Sequence, residues 1–233
     1  MKFTLDHVVE ESQDIFSFFF EPSQKLSFTA GQYIEMSLPH EHPDNRGVRR
    51  WFTISSSPTE PLVSITTRII EKSSSFKKTL FGLEPGDEVS ITGPMGDFVL
   101  PKFVQTPLIF VAGGIGITPF HSIMSWLNDT KETRPIRLIY GVRSEEEIIF
   151  NEAFDKADIH PTVVVENPSS AWGGERGRLS AELILGLAKP SEDSLIYVSG
   201  PEPMVETLEK DLKSSGINKD NLVLDFFPNY KEI

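Results

Sequence analysis

The chain contains no cysteine. That excludes disulfides, Cys-ligated zinc and a Cys-ligated iron–sulfur cluster held by these residues, so one-electron chemistry here needs another cofactor. Positive charge is also scarce. Twenty-two Lys and Arg stand against 34 Asp and Glu, a formal net charge of −12. A nucleic-acid surface needs a basic patch to meet the phosphates, and this balance argues against such a partner. Nothing approaches the roughly 18 consecutive apolar residues of a membrane span. The opening MKFTLDHVVEE lacks the apolar region of a signal peptide. The expectation is a soluble, unexported, cytoplasmic chain with no transmembrane segment. Internal repeats and low-complexity segments are absent as well.

What is present is enough for one large core or two modest ones: 233 residues, 39% of them hydrophobic. Two rhythms divide them. Up to about residue 101 the chain reads as short β-rich runs between turn residues: FTLDHVVE, DIFSFFFEP, GQYIEMSLP, RRWFTISSS, LVSITTRII and DEVSITGP. Several strands with no long helical pattern suggest a small antiparallel barrel or sandwich. SSSFKKTLFGL, residues 73–83, alone has helical spacing (Phe76, Leu80, Leu83) and is expected to cross the barrel mouth.

From residue 107 onward, apolar strands alternate with amphipathic helices, five strands and four helices in all. That is the pattern of an open, parallel five-stranded α/β sheet covered on both faces. EEEIIFNEAFDKAD is expected to be one of its helices, and PKFVQTP, residues 101–107, the connector. The expected domains are therefore 1–101 and 107–233.

At the end of the first apolar strand stands VAGGIGITPF, with Gly113, Gly114 and Gly116 ahead of Thr118 and Pro119. Thr118 and Pro119 suit the N-cap and first position of a helix. Parallel sheets bind ligands beyond the carboxyl ends of their strands, and helix N-termini favour anions. Bare glycine backbone would let a pyrophosphate lie close. The spacing is not G-x-G-x-x-G, and on its own a glycine-rich strand-to-helix turn is an equal reading.

Three further stretches accompany it: Arg50-Trp51-Phe52-Thr53, GPMGDF at 93–98 and SGPEPM at 199–204. In this order and at these spacings the four motifs resemble the ferredoxin–NADP reductase-like superfamily, and the resemblance spans essentially the whole chain. It implies an FAD-binding barrel followed by an NAD(P)-binding domain, and a stand-alone flavoprotein reductase using NADH or NADPH.

Carried over, Arg50 would neutralise the flavin phosphates and Phe52, where tyrosine is usual, would stack on the ring. Thr53 would hydrogen-bond near the reactive N5, and Trp51 and Thr67 join the cofactor-binding set. Ser74 and Ser75 match the family's phosphate-holding segment, without its usual glycine. Gly113, Gly114, Gly116, Thr118 and Pro119 match the nucleotide turn. Gly200, Pro201 and Met204 match a CGPxPM motif in which Ser199 replaces cysteine beside the nicotinamide. In the tail, Asp225 would relay a proton and Phe227 would cover the flavin face. Arg143 could grip a 2′-phosphate, with Arg176 or Arg178 assisting, although Glu145–Glu147 oppose an extra anion there. His121 reads as a packing or surface histidine rather than a catalytic one.

The implied reaction is hydride transfer from the nicotinamide to bound FAD, then electron transfer to a separate redox partner or small acceptor. That acceptor would be a ferredoxin or flavodoxin, an oxygenase component or another partner. A reductase using free flavin as substrate and a non-catalytic nucleotide-binding module are the alternatives. No metal ligand is assigned.

Overall fold

The structure, a computed structural model, describes residues 1–227, for Phe227 the backbone only. The β-rich half builds six strands: β1 (Lys2–Ser12), β2 (Ile15–Pro22), β3 (Tyr33–Ser37), β4 (Arg49–Thr53), β5 (Val63–Arg68) and β6 (Glu88–Met95). They pair antiparallel in the order β4-β3-β6-β1-β2-β5. The two ends of this sheet meet at an Ile54–Ile65 bridge and a 2.8 Å bond from the Ser55 N–H to the Ser64 carbonyl. The sheet is thereby curled into the expected barrel. Its core is aromatic: Phe3, Phe18, Phe20 and Phe76 are fully buried. Phe76 comes from α1 (Ser75–Phe81), the short helix read from the Phe76/Leu80 spacing.

The second half forms β7 (Leu108–Gly113), α2 (Thr118–Thr130), β8 (Ile136–Val142), α3 (Asn151–Lys156), β9 (Thr162–Val165), β10 (Glu175–Arg176), α4 (Ala181–Ala188), β11 (Leu195–Pro201), α5 (Glu202–Ser214) and β12 (Leu222–Phe227). The sheet is parallel, in the order β10-β9-β8-β7-β11-β12. It has six strands rather than five. The extra one, β10, is two residues inside the polar loop GGERGR, too short to show any periodicity.

The expected helix over EEEIIFNEAFDKAD is broken. Glu145–Glu147 make a 3₁₀ turn, Phe150 adopts φ +67°, and only Asn151–Lys156 continue as α-helix. A tertiary demand competes with the helical periodicity: the Glu147 carboxylate is bonded to Arg68 of the barrel and to the Arg143 N–H.

The halves share one interface core. Phe98, from the barrel side, lies edge-on to Phe120 of α2 (5.5 Å) and Tyr197 of β11 (5.1 Å). Around it the Ser122 hydroxyl donates to the Ser56 carbonyl (2.6 Å), and the Tyr197 hydroxyl to the Val99 carbonyl (2.7 Å). Thr59 also bonds Asp129. His121 Nδ1 bonds the Ser55 carbonyl at 2.7 Å and its ring stacks on Phe150, while burial pushes it down to about 4. It is a neutral packing histidine, the first of the two readings. Among the described residues no helix is long and apolar enough to cross a membrane.

Candidate functional site

First-strand β7 has β8 on one side and β11 on the other, so the strand order reverses around it. The crevice of a parallel sheet opens at such a point, beyond the carboxyl ends of the strands. Both glycine motifs sit there, and they interlock. A Cβ on Gly113 would meet Met204 Sδ at 2.3 Å, one on Gly200 would meet Met204 Cε at 2.5 Å, and one on Gly116 would meet the Ser199 carbonyl oxygen at 2.2 Å. Gly116 is thus required by protein packing against the β11 backbone, whereas Gly113 faces only the flexible end of Met204 and also lines a cavity. Gly114 differs: it adopts φ +52° with nothing within 4 Å of its would-be Cβ, and it lines a cavity.

The helix start also differs from the sequence expectation. A 3₁₀ turn, Gly114–Ile117, precedes α2, so Thr118 is a helical residue whose hydroxyl donates back to the Ile115 carbonyl (3.1 Å) instead of capping forward. Pro119 is buried behind it.

That cavity, about 460 Å³, is walled by Gly113, Gly114, Arg143, Pro201 and Met204. Arg178 is paired with Glu166 at 2.5 Å on the same wall. Arg176 donates to the Ser169 and Trp172 carbonyls and does not reach the cavity. Gly116, Pro119 and Gly200 shape the turn without lining the space.

A larger cavity of about 910 Å³ opens on the barrel side. Arg50, Trp51, Phe52 and Thr53 from β4, Thr67 and Arg68 from β5, and Thr118 and Asp225 from the other half all reach it. Arg68 and Ile115 belong to both cavities, which therefore adjoin. Arg46, Arg49, Arg50, Arg68, Lys72 and Lys77 line the larger space, opposed by the carboxylates of Glu35 and Asp225. In a chain with a net charge of −12, that concentration of cations marks an anion site.

Arg50 is the best-placed of them. It pairs with Asp44 (2.9 Å) and donates to the Arg46, Gly47 and Arg49 carbonyls, its guanidinium lying 5.2 Å from the Phe76 ring centre. Its buried Nε has no hydrogen-bond partner among the described residues. Burial and the neighbouring Arg46 work against its charge, with Asp44 compensating in part. A phosphate oxygen would answer both the orphaned donor and the crowded charge, so these residues fit the phosphates of a flavin nucleotide.

The aromatic positions separate. Trp51 is 56% exposed, whereas Phe52 is only 7% exposed and packs on Phe76 at 5.9 Å, offering the cavity little of its ring. Phe226 lines the cavity, 47% exposed, and the Phe227 side chain lies outside the described residues.

Ser74 lines the cavity while capping α1 by accepting from the Lys77 N–H. Ser75 does not line it. The Ser75 hydroxyl accepts from the Asp44 N–H (2.9 Å) and bonds His40 (3.0 Å), so it braces the loop carrying Arg50's partner.

Ser199 is likewise absent from the cavity wall. It is completely buried, and its hydroxyl donates to the Asp225 carboxylate at 3.3 Å. Strand register explains the contact, since Ser199 and Asp225 are directly paired in parallel. Burial pushes Asp225 up to about 6, with the Ser199 bond acting in the opposite sense.

Arg68, Lys77 and Ile115 escaped the sequence reading. Ile115 was visible in the glycine turn but passed over as apolar. Lys77 lay between the apolar positions of α1, where spacing assigns a lysine to solvent.

Comparison with known proteins agrees with this geometry. An oxidoreductase FAD-binding domain matches residues 2–100 and an oxidoreductase NAD-binding domain residues 110–210. The glycine betaine monooxygenase reductase subunit of Chromohalobacter salexigens is 27% identical over 222 residues, covering 91% of this chain and 60% of that protein. Escherichia coli NADH oxidoreductase HCR is 24% identical over 214 residues, covering 91% of this chain and 64% of that one. This chain thus spans about 60% of the length of such relatives. Among solved structures, an Amycolatopsis cytochrome P450 reductase superposes with TM-score 0.83 at 22% identity, covering 97% of this chain and 70% of that one. A Neisseria gonorrhoeae ferredoxin NADP+ reductase with bound FAD and NADP superposes with TM-score 0.77 at 18% identity over 97% and 98% of the two chains.

Proposed function

This chain belongs to the ferredoxin–NADP reductase-like superfamily, with its FAD-binding and NAD-binding domains in that order, and we propose that it is the NAD(P)H-dependent reductase unit of an oxygenase system. The observation that carries the reading is the pair of adjoining cavities with Arg68 and Ile115 in common, one rich in cations around Arg50 and the other at the glycine turn. When bound, FAD supplies the chemistry of accepting a hydride pair and releasing electrons singly.

The chain's own residues position and protect that chemistry. Arg50 holds the flavin phosphates. Thr53 and Thr67 face the same cavity and orient the flavin, and Phe52 backs it through the Phe76 contact. Gly114, Pro201 and Met204 receive the nicotinamide nucleotide. Asp225, at about 6, holds or yields a proton near neutrality, and Ser199 orients its carboxylate. NADH is the preferred donor: Glu166 neutralises Arg178 and Glu147 neutralises Arg68, so the wall offers a 2′-phosphate little beyond Arg143.

The acceptor is a separate protein, in line with relatives named as reductase components of the glycine betaine and propane 2-monooxygenase systems. Anaerobic titration of the purified chain with NADH and with NADPH, followed by flavin absorbance, tests the assignment. Bleaching at lower NADH than NADPH is expected. Bound flavin that neither nucleotide bleaches would rule the enzyme reading out.

A further inference from the structure

Among the described residues, Phe150 is the one apolar side chain held at a positive φ, +67°. That conformation is costly for any residue with a Cβ. Nothing local calls for it: EEEIIFNEAFDKA, residues 145–157, has helical spacing and contains neither glycine nor proline. The cause is tertiary.

The Phe150 ring stacks on His121 of α2, with ring centres 3.8 Å apart and planes 25° apart. His121 is fixed in turn, because its Nδ1 donates to the Ser55 carbonyl of the barrel at 2.7 Å. Three residues before Phe150, the Glu147 carboxylate pairs with Arg68 of β5 at 2.8 Å and accepts from the Arg143 N–H at 3.3 Å. The Tyr140 hydroxyl donates to the Glu147 carbonyl at 3.2 Å. Residues 143–150 therefore form a strap tied to the barrel twice, directly by Glu147 and through His121 by Phe150.

This strap walls the smaller cavity. Arg143 and Glu147 line it, together with Arg68, whereas Phe150 and His121 do not. Any influence of the stacked pair on a bound nucleotide must pass along the strap. A helix continued through residues 148–150 would satisfy the local spacing, but it would carry Glu147 away from the geometry that holds Arg68 and the Arg143 backbone.

We propose that Phe150, anchored by His121, is a positioning residue for the nicotinamide nucleotide: it fixes the strap so that Glu147 keeps Arg68 and Arg143 in place on the cavity wall. The proposal rests on the nucleotide reading of this cavity.

Isothermal titration of the FAD-loaded chain with NAD+ tests it, since the oxidised nucleotide binds without reducing the flavin. F150A weakens NAD+ binding about 10-fold, while flavin retained on purification stays within about two-fold of wild type. F150Y keeps the ring and binds NAD+ within about two-fold of wild type. H121L keeps the bulk but loses the Ser55 bond; it matches the loss in F150A and carries the test should F150A fail to fold. In an E147Q background F150A adds less than about two-fold, because its path to the cavity is already cut. NAD+ affinity unaltered in F150A or H121L, equal losses of NAD+ and FAD, a loss persisting in F150Y, or a full further loss on top of E147Q would each overturn the role of Phe150. A wild-type chain that binds no NAD+ would instead overturn the nucleotide reading on which it stands.

Discussion

Arg50 shows what a single side chain must reconcile at this site. Its guanidinium is held by Asp44 and three carbonyls, yet Nε is buried without a partner among the described residues. Arg50→Met is expected to weaken FAD binding about 10- to 100-fold, measured as flavin retained on purification and by titration. Asp225 offers a test that needs no flavin. Its folded value of about 6 lies above the ordinary 3.8, so both folded and unfolded forms are protonated below pH 3.8 and no cost of burial appears. Between pH 3.8 and 6 the unfolded form ionises while the folded form stays protonated, so stability falls over that window and levels off once the folded group also carries its buried charge. Asp225→Asn should therefore match wild type near pH 4, gain on it between pH 4 and 6, and exceed it by about 1–3 kcal/mol above pH 7 in thermal melts.

At the scale of elements, the β7–α2 turn is a packing device as much as a ligand cradle. Gly116→Ala drives a Cβ into the Ser199 carbonyl at 2.2 Å, where backbone cannot yield without shifting β11. A loss of about 3 kcal/mol is expected. Gly114→Ala meets nothing within 4 Å and should cost about 1 kcal/mol for its positive φ. Melting of the two variants checks the contrast. A turn whose glycines all served a ligand would instead tolerate both changes in the stripped chain.

Legibility followed the same line. The strands and helices of both halves could be read because apolar periodicity has a local cause: one face of each element is buried. The 145–157 segment could not, because its helix is interrupted by an ion pair to Arg68, 79 positions earlier in the chain. Nor could β10, whose two residues are a strand only because β9 lies beside them.

Across the whole molecule, Phe98 links barrel and sheet through Phe120 and Tyr197. Phe98→Ala should cost about 3–5 kcal/mol and lower the melting of both halves together, followed by calorimetry. Independent melting of an undisturbed half would show the interface to be weak.

The sequence by itself determined the barrel-then-sheet order and the glycine turn at a strand end, and it singled out Arg50, Gly114 and Met204, which line the two cavities. These rest on local patterns of burial, turn chemistry and charge type, which a linear chain displays. Only the tertiary structure decided that Gly116 serves packing and that Ser75 braces a loop. It alone set Ser199 behind Asp225, and Arg68 and Lys77 on the cavity wall. Each of those roles depends on a neighbour distant in the chain, and spacing along one strand or helix carries no record of what another brings against it.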